Sequence, residues 1–406
     1  MTPNQKRVLP VLFCTLLLDT IGFGMVFPII PIIFTDPTSP HFLLAGSTQG
    51  AQFLIAGAIT AIFGLMQFIA APILGELSDI YGRKRILTFG VGVLAFSQLL
   101  FGMGINITFI PLLFIARAIA GLAAGNFSVA QAAIADITDP AHRAKNFGII
   151  GAAFGMGFII GPLLGGWIAA ISGNPAVPFW FASALGLINV VFISLMLPET
   201  HHVRSKERKF SPLKGLHNIQ AAIRDVDARP VYLANFFYMS GFTFFTSFIG
   251  ILLVSLHFTE ATIGTFFAAV GVCIVITQLL ILRILAGKYS EKAILRYSMI
   301  CVALCMAVYP FVGSGGIIFL LIPFLAVPQG LSMANLPALV SKSVSPIKQG
   351  AALGINGSMI ALATGIVPLI AGLGSSVVGI KLPFIAGSLL VLLAWATLFL
   401  GKKRIS

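Results

Sequence analysis

Charged side chains are scarce in this sequence. They account for only 9% of its 406 residues, whereas a soluble domain carries roughly a quarter. Hydrophobic residues make up 58% of the chain. Such a chain has too little charge to cover a folded surface in water, so the composition excludes a soluble protein and predicts one that is embedded in a membrane.

Motifs for catalysis and for nucleotide or metal binding are also lacking. No G-x-x-x-x-G-K-[ST] phosphate loop occurs, which argues against direct use of ATP. The six histidines lie in loops or at helix ends, and none neighbours Asp19, the buried acid discussed below. The four cysteines lie in apolar stretches without other ligands nearby and are most simply packing residues. We therefore expect no enzyme, no metal site and no organic cofactor.

Long apolar stretches occupy most of the chain. A helix that crosses a bilayer needs about 20 mostly apolar residues, and the charge clusters separate about twelve stretches of that length. The sequence therefore predicts an all-α membrane protein with twelve transmembrane helices.

The basic residues indicate how these helices are oriented. With twelve helices, 22 of the 25 lysines and arginines fall on one side of the membrane, in the termini and in alternate loops. Cytoplasmic loops carry the excess of Lys and Arg, so we expect both termini in the cytoplasm, with a bacterial inner membrane as the setting. The net charge of +13 is then a topology signal and does not indicate a nucleic-acid partner.

The two halves of the chain are related by an offset of 206 residues. The matching pairs are Pro140 and Pro346, Gly148 and Gly354, Gly151 and Gly357, Pro162 and Pro368, and Gly166 and Gly372. Because all five pairs have the same offset, they predict two six-helix pseudo-repeats. We expect an N-terminal bundle over residues 1–197, a charged cytoplasmic linker over 198–229 and a C-terminal bundle over 230–406.

The densest charge cluster lies between the second and third apolar stretches and reads Gly75-Glu-Leu-Ser-Asp79-Ile-Tyr-Gly82-Arg83-Lys84-Arg85. We expect a conformational latch, in which Arg83 pairs with Asp79 or Asp136 in the outward-open state and releases on inward opening. The alternative is a set of solvated charges that only fixes the topology. The latch set is Gly75, Asp79, Gly82, Arg83, Asp136 and Arg143. A shorter cluster over residues 288–292 looks like an eroded copy.

Asp19 is the one carboxylate of twelve that lies deep in an apolar stretch. Intramembrane acids are costly and mark ion or proton pathways. Its expected partner is Arg117, the only basic residue deep in a stretch. Burial favours the protonated acid and a neighbouring arginine favours the charged form, so the two residues are predicted to couple transport to proton movement. A structural hydrogen bond or a static ion pair between helices 1 and 4 is the alternative.

Small residues are concentrated in the fifth apolar stretch. Gly157, Gly161 and Gly165 recur every fourth residue, Gly166 follows, and Pro162 removes a backbone donor. Glycines at this spacing let a neighbouring backbone approach closely.

These motifs resemble the major facilitator superfamily. The G-x-L-x-D-x-x-G-R-K cluster is similar to its loop between helices 2 and 3, and the segment 157–166 resembles the helix 5 signature of its exporting antiporters. The surroundings of Asp19 and Arg117 resemble motifs of drug–proton antiporters with twelve spans, similar to tetracycline–proton antiporters. Tetracycline exporters carry further acids in helices 3 and 9, but residues 86–104 and 294–313 contain none. This departure argues against tetracycline itself more than against proton-coupled export.

The resemblance implies a substrate site at the midplane between the halves, lined by helices 1, 4, 7 and 10. We expect aromatic walls with few polar anchors, as in most small-molecule sites. With 35 phenylalanines in the chain, packing is the simpler explanation for any single one. The expected lining residues are Phe23, Asn126, Gln131, Asn235, Phe236, Tyr238, Gln329 and Asn335.

The implied function is secondary export by alternating access. Amphipathic drug-like compounds or metabolites would leave in exchange for protons, through a monomer whose partners are substrate, protons and the lipid bilayer, with antibiotic resistance as an expected role. The alternative is a proton-coupled symporter or facilitator that imports a nutrient, and the helix 5 motif argues against it.

Overall fold

The regular elements of this protein are helices. The computed structural model describes residues 3–138, 143–200, 214–225, 228–285, 287–345 and 349–400. Within these ranges, twelve helical spans are long and apolar enough to cross a membrane, which confirms the predicted number.

The spans, numbered in chain order, are formed by helices Pro3–Gly24 and Val26–Thr35 (span 1), Gln49–Tyr81 (span 2), Arg83–Asn106 (span 3), Ile110–Ala123 and Asn126–Ile137 (span 4), Arg143–Ser172 (span 5), Val177–Met196 (span 6), Arg229–Ser255 (span 7), Glu260–Ile276 with a π turn Thr277–Ile281 and Leu282–Leu285 (span 8), Glu291–Val308 with a 3-10 turn Tyr309–Phe311 (span 9), Gly315–Leu320 and Ile322–Lys342 (span 10), Gln349–Val378 (span 11) and Leu382–Phe399 (span 12). A short helix, Lys214–Arg224, precedes span 7.

Two of the spans are broken near the predicted site. Span 1 is interrupted at Met25, between Phe23 and Phe27, and span 4 is interrupted just before Asn126. Inside a bilayer, irregular backbone is tolerated where it is buried in protein or lines a cavity. Both breaks therefore fall beside residues of the predicted site.

Glycines join the two halves along two seams, one between spans 2 and 11 and the other between spans 5 and 8. A Cβ atom added to Gly57 of span 2 would lie only 2.9 Å from Cα of Gly372, and one added to Gly264 of span 8 would lie 3.3 Å from Cα of Gly166. Gly372 and Gly166 are partners in the 206-residue repeat. The repeat predicted from the sequence is therefore also a repeat of the contacts that join the halves.

Spans 2 and 11 are in contact along one part of their seam and separate along the rest. A Cβ on Gly365 would come within 2.9 Å of the carbonyl carbon of Gly64. Eleven residues away on the same faces, Gly75 of span 2 and Gly354 of span 11 have no atom of the described chain within 4 Å of such a Cβ. Eleven residues are about three turns, or about 16 Å. The halves thus touch at the end opposite the termini, here called the far end, and diverge toward the basic end that carries Arg83.

The short helix Lys214–Arg224 bridges the halves at the basic end. Asn218 Nδ2 donates a hydrogen bond of 2.9 Å to Ser358 Oγ in span 11. A Cβ on Gly215 would lie 3.0 Å from the ring of Phe68 in span 2. This helix belongs to the predicted linker 198–229, of which residues 201–213 and 226–227 lie outside the described residues.

Adding a methyl group to the closed part of the seam should separate the far ends of the halves. We expect Gly365→Ala to lengthen the distance between spin labels at Gln49 and Val377 by several ångströms, because the new Cβ would collide with the backbone of span 2. Line broadening in continuous-wave electron paramagnetic resonance, which reports short separations, measures this distance in a background without the native cysteines. Gly354→Ala, on the same face of span 11, is the matched control and should leave the distance unchanged. Equal distances in both variants would show that the seam does not set the closure.

Candidate functional site

Asp19 lies in span 1, six residues before the break at Met25, and span 6 provides its hydrogen-bond donor. Asn189 Nδ2 lies 3.2 Å from Asp19 Oδ1, and the same nitrogen lies 3.2 Å from the carbonyl oxygen of Thr15. Asn189 is completely buried. The acid is therefore held by a neutral amide from within its own half.

Arg117 does not pair with Asp19 in the described part of the chain, contrary to the sequence-based expectation. Its guanidinium carbon lies 4.5 Å from the ring centroid of Phe63, and that ring lies 5.2 Å from the ring of Phe23. Its Nε has no hydrogen-bond partner among the described residues, although the residue is only 5% exposed. Because Phe63 contacts both Arg117 and Phe23, an aromatic ring lies between the arginine and span 1.

Asn126 begins the second helix of span 4 and fits against a glycine of span 3. A Cβ on Gly90 would come within 2.7 Å of Asn126 Cγ, so the amide needs the space that the glycine leaves. Its side chain faces Asp19, yet neither amide atom makes a hydrogen bond of good geometry in the described chain. Asn126 and Asn189 thus place two amides around one acid.

Arg83 is the centre of the predicted latch and pairs with both expected acids. Its Nη2 lies 2.5 Å from Asp79 Oδ1, and its Nε lies 3.0 Å from Asp136 Oδ2. Both acids belong to the same half as Arg83, and the pairs are formed while the halves are apart at the basic end. The expected release on opening at this end is therefore wrong for this structure, because separating the halves does not separate these partners. The side chain of Arg143, the remaining charged member of the predicted set, lies outside the described residues.

Glu199, just after span 6, caps the start of span 3. Its Oε1 accepts a hydrogen bond of 2.9 Å from the backbone nitrogen of Arg83. A carboxylate at a helix N-terminus satisfies a free N–H and interacts favourably with the helix dipole. Gly82 adopts φ +97°, where a side chain is disfavoured, and a Cβ there would lie 2.9 Å from Cδ of Glu199. Sequence reasoning missed Glu199 because its partner is distant along the chain.

The C-terminal half contains a charge-reversed counterpart of the Arg83–Asp136 pair. Lys342 Nζ, at the end of span 10, lies 2.5 Å from Glu291 Oε1 at the start of span 9. Lys342 is the repeat partner of Asp136, 206 residues on. The cluster over residues 288–292, predicted to be an eroded copy of the first hinge, therefore supplies a side chain to the equivalent contact with the signs exchanged.

The glycine motif of span 5 packs directly on the part of span 1 that follows Asp19. A Cβ atom added to Gly157 would lie 2.7 Å from the methyl carbon of Thr20. One added to Gly161 would lie 2.8 Å from Cα of Gly24, and one added to Gly165 would lie 2.7 Å from Cα of Met25. Gly166 contacts span 8, and Pro162 lies against both Gly24 of span 1 and Gly264 of span 8. Span 5 therefore connects the helix of Asp19 to the opposite half.

The predicted lining residues of the C-terminal half form a separate polar group. Tyr238 donates a hydrogen bond of 2.5 Å to Gln329 Oε1, which joins spans 7 and 10. Asn235 donates to Asn356 of span 11. Asn335 instead bonds the Leu331 carbonyl oxygen of its own helix at 2.7 Å.

The other two expected lining residues take no part in these polar groups. Phe236 contacts the neighbouring ring of Phe237 at 5.7 Å, and Gln131 is exposed. Of the eight expected residues, the structure thus brings Phe23 and Asn126 to the surroundings of Asp19 and Arg117, and it brings Tyr238 and Gln329 together in the other half.

Aromatic rings from both halves meet between the two groups. The ring of Phe27 in span 1 lies 5.3 Å from Phe158 of span 5 and 5.2 Å from Phe267 of span 8. These separations are in the range of favourable ring contacts. No pattern distinguishes these three rings among 35 phenylalanines, so the sequence alone could not have selected them.

A family model described as "Major Facilitator Superfamily" matches residues 12–245 and 231–405. The chain belongs to the major facilitator superfamily. Members of this superfamily are transporters, and this one is an integral membrane protein and not an enzyme, as the sequence predicted.

This superfamily member is similar to named resistance proteins. It is 30% identical over 367 residues to "Tetracycline resistance protein, class H" of Pasteurella multocida, covering 89% of this chain and 87% of that protein. It is 28% identical over 408 residues to "Multidrug resistance protein 2" of Bacillus subtilis (strain 168), covering 99% of this chain and 96% of that protein. The similarity to drug antiporters that the motifs predicted is confirmed.

Solved structures of the superfamily share this fold. The human organic anion transporter MFSD10 superposes with a TM-score of 0.73 at 24% identity, over 98% of this chain and all of that one. A bacterial homologue of the human lysosomal transporter Spinster, in an inward-facing and unoccupied conformation, also gives 0.73 at 14% identity, over 98% of this chain and 97% of that one.

Removing one acid from the Arg83 cluster should destabilise the protein. We expect Asp136→Asn to lower the thermal unfolding midpoint by several degrees, because the Arg83 side chain is only 6% exposed and would lose one of its two acids. Glu291→Gln is the matched control. Its pair is formed with a lysine side chain that is 64% exposed, so little change is expected. Scanning fluorimetry in detergent measures both variants, and equal shifts would contradict the role assigned to burial.

Proposed function

We propose that this superfamily member exports amphipathic small molecules in exchange for protons. The observation that carries the proposal is the position of Asp19, which is held by the amide of Asn189 and lies on the helix against which the Gly157–Gly165 motif packs. The relatives named as tetracycline and multidrug resistance proteins support the direction of transport.

The surroundings of Asp19 suit an acid that gains and loses a proton. A charge buried at this depth is costly unless it is paired or neutralised, and in this structure no ion pair neutralises Asp19 within the described chain. Proton uptake from outside would remove the cost in one state of the cycle. In the other state, a cationic substrate group or Arg117 would stabilise the charge. Arg117 lies against the Phe63 ring, which in turn contacts Phe23 of span 1, so a movement of that ring would change how closely Arg117 approaches span 1.

The seams support alternating access by rocking of the halves. In this proposal, residues 1–197 and 230–406 rock as two bundles, and 198–229 connects them. The contacts at the far end would break as those at the basic end form, because both ends of the seam are lined by glycines. By the positive-inside rule, the basic end and both termini face the cytoplasm of a bacterial inner membrane. The proposed transporter acts as a monomer and uses no cofactor other than the coupling proton.

Substrate would be held between the two polar groups. Phe23 and Asn126 provide an aromatic and an amide surface in the N-terminal half, and Tyr238 and Gln329 provide a second one in the C-terminal half. Apolar walls with few polar groups are typical of sites for amphipathic compounds. Import of a nutrient by proton symport is the alternative, and a transport assay distinguishes the two by direction.

Neutralising Asp19 should uncouple transport from the proton gradient. In proteoliposomes with an imposed pH gradient, we expect Asp19→Asn to abolish gradient-driven movement of a dye such as ethidium, while part of the dye binding at equilibrium is retained. Asp19→Glu keeps an acid and should keep part of the transport.

Asp36→Asn is the matched control, because Asp36 lies at the far end and its side chain accepts hydrogen bonds from Thr38 alone among the described residues. It should transport like the wild-type protein. Gradient-driven transport by Asp19→Asn at the wild-type rate would rule out the proposed proton role. Dye movement in the same direction as the protons would favour import.

A further inference from the structure

We propose that the C-terminal half binds the phosphate group of an anionic phospholipid at the basic end of spans 9 and 12. Arg296 of span 9 is the recognition group, and Trp395 and Phe399 of span 12 hold it in position. The proposal goes beyond export and proton coupling, because it needs only that the basic end lies at a membrane surface.

Aromatic side chains of span 12 fix the position of Arg296. The guanidinium carbon of Arg296 lies 5.0 Å from the ring centroid of Phe399, within the range of a cation–π contact. Nε1 of Trp395 donates a hydrogen bond of 3.1 Å to the backbone carbonyl oxygen of Arg296. The rings of Trp395 and Phe399 lie 5.5 Å apart. Because a ring covers only one face of the guanidinium, the N–H donors in its plane remain able to bind a ligand.

The positive charge of Arg296 is not balanced by an acid in the described part of the chain. Arg296 is exposed, and Lys292 lies one turn earlier on the same face of span 9. The acid beside them in sequence, Glu291, pairs with Lys342. Like charges four residues apart on a helix repel each other, so an anion that contacts both basic side chains is favoured.

The depth of Arg296 in the membrane matches that of a phospholipid headgroup. Arg296 lies five residues after the start of span 9, and Phe399 is the last residue of span 12. Helical side chains tilt toward the N-terminus of their helix, so the Arg296 side chain is directed toward the basic end. The next residue, Tyr297, is exposed, as is typical of aromatic side chains at a membrane–water interface. The guanidinium is therefore at the level of lipid phosphates.

Exposed apolar side chains extend from this cluster toward the middle of the membrane. On span 9, Cys301 and Leu304 follow Tyr297 at helical spacing and are exposed. On span 12, Leu392 and Leu393 are exposed on the side of Trp395 away from the basic end. This apolar surface suits an acyl chain, which a free phosphate ion lacks. The two spans therefore offer a surface for a whole lipid, with its phosphate on Arg296.

A phosphate diester without a compensating positive charge fits this group best. The planar guanidinium can donate two parallel hydrogen bonds to phosphate oxygens, and Lys292 adds a second charge. Basic pockets between spans on the cytoplasmic side of a membrane bind anionic headgroups. The ammonium group of a zwitterionic lipid would be repelled by Arg296 and Lys292. The site should therefore prefer phosphatidylglycerol to phosphatidylcholine.

The fluorescence of Trp395 can report which lipid lies beside the site. The chain has three tryptophans, so Trp167→Phe with Trp180→Phe leaves Trp395 as the only one. In vesicles of brominated phosphatidylcholine, which quenches tryptophan, we expect unbrominated phosphatidylglycerol to restore this fluorescence more effectively than unbrominated phosphatidylcholine. The recovery should correspond to a preference of about fivefold, as one basic side chain at an anionic membrane surface predicts.

Arg296→Gln in this background should lower the preference to about twofold or less, because only Lys292 remains. Arg296→Lys keeps the charge but loses the planar fork, so it should give an intermediate preference. Arg283→Gln is the matched control, because Arg283 is also an exposed arginine near the basic end, in the last turn of span 8. It removes the same charge and should keep the preference of the parent protein.

Equal recovery by the two lipids, or equal losses in Arg296→Gln and Arg283→Gln, would overturn the proposal. Millimolar inorganic phosphate at constant ionic strength should leave the preference unchanged. Loss of the preference there would assign the site to a soluble anion and would also overturn it. If the single-tryptophan protein is not recovered in monodisperse form, native mass spectrometry of the wild-type chain and Arg296→Gln replaces it. Phosphatidylglycerol bound to equal extents by both would then contradict the assignment.

Discussion

Close contact between glycines is the interaction on which the arrangement of this transporter depends. Neighbouring helices in lipid gain little from the hydrophobic effect and associate through close packing, which small residues permit. Gly57 of span 2 approaches Gly372, and Gly264 of span 8 approaches Gly166, so backbones meet where side chains would hold them apart. Smooth seams of this kind can close at one end and open at the other. The proposed site between the halves and its proposed access from the basic end both depend on that geometry.

The two halves contribute different chemistry to the site. The N-terminal half holds the buried acid Asp19 with the amide of Asn189, and the C-terminal half offers the neutral amide of Gln329 bonded to Tyr238. Aromatic rings from both halves separate the two groups. The two repeat-related halves therefore carry different polar groups, an acid with an amide in one and an amide with a tyrosine hydroxyl in the other. The exchange of sign between Asp136 and Lys342, at repeat-related positions, shows the same divergence at the basic end.

The sequence predicted those features that depend on composition, period and repeat. Twelve spans, their pseudo-repeat and the contact of Arg83 with Asp79 and Asp136 all follow from residues that are rare in their surroundings. The sequence did not predict contacts in which the partner is distant along the chain and is of a residue type that is common in its surroundings. Asn189 was the one amide in span 6 and could have been noticed, whereas Phe63 was one phenylalanine among many. The expected pairing of Asp19 with Arg117 assumed that equal depth implies contact, and an intervening ring invalidates that assumption. The roles of the site residues stay predictions.

The helix Lys214–Arg224 connects the two halves by its own packing contacts as well as by the chain. It rests against Phe68 of span 2 through Gly215 and bonds Ser358 of span 11 through Asn218, so it is attached to both halves at once. Any change in the spacing of those two spans at the basic end must break at least one attachment. The helix is thus a spacer between the two spans, and its contacts with both of them limit how wide the entrance becomes.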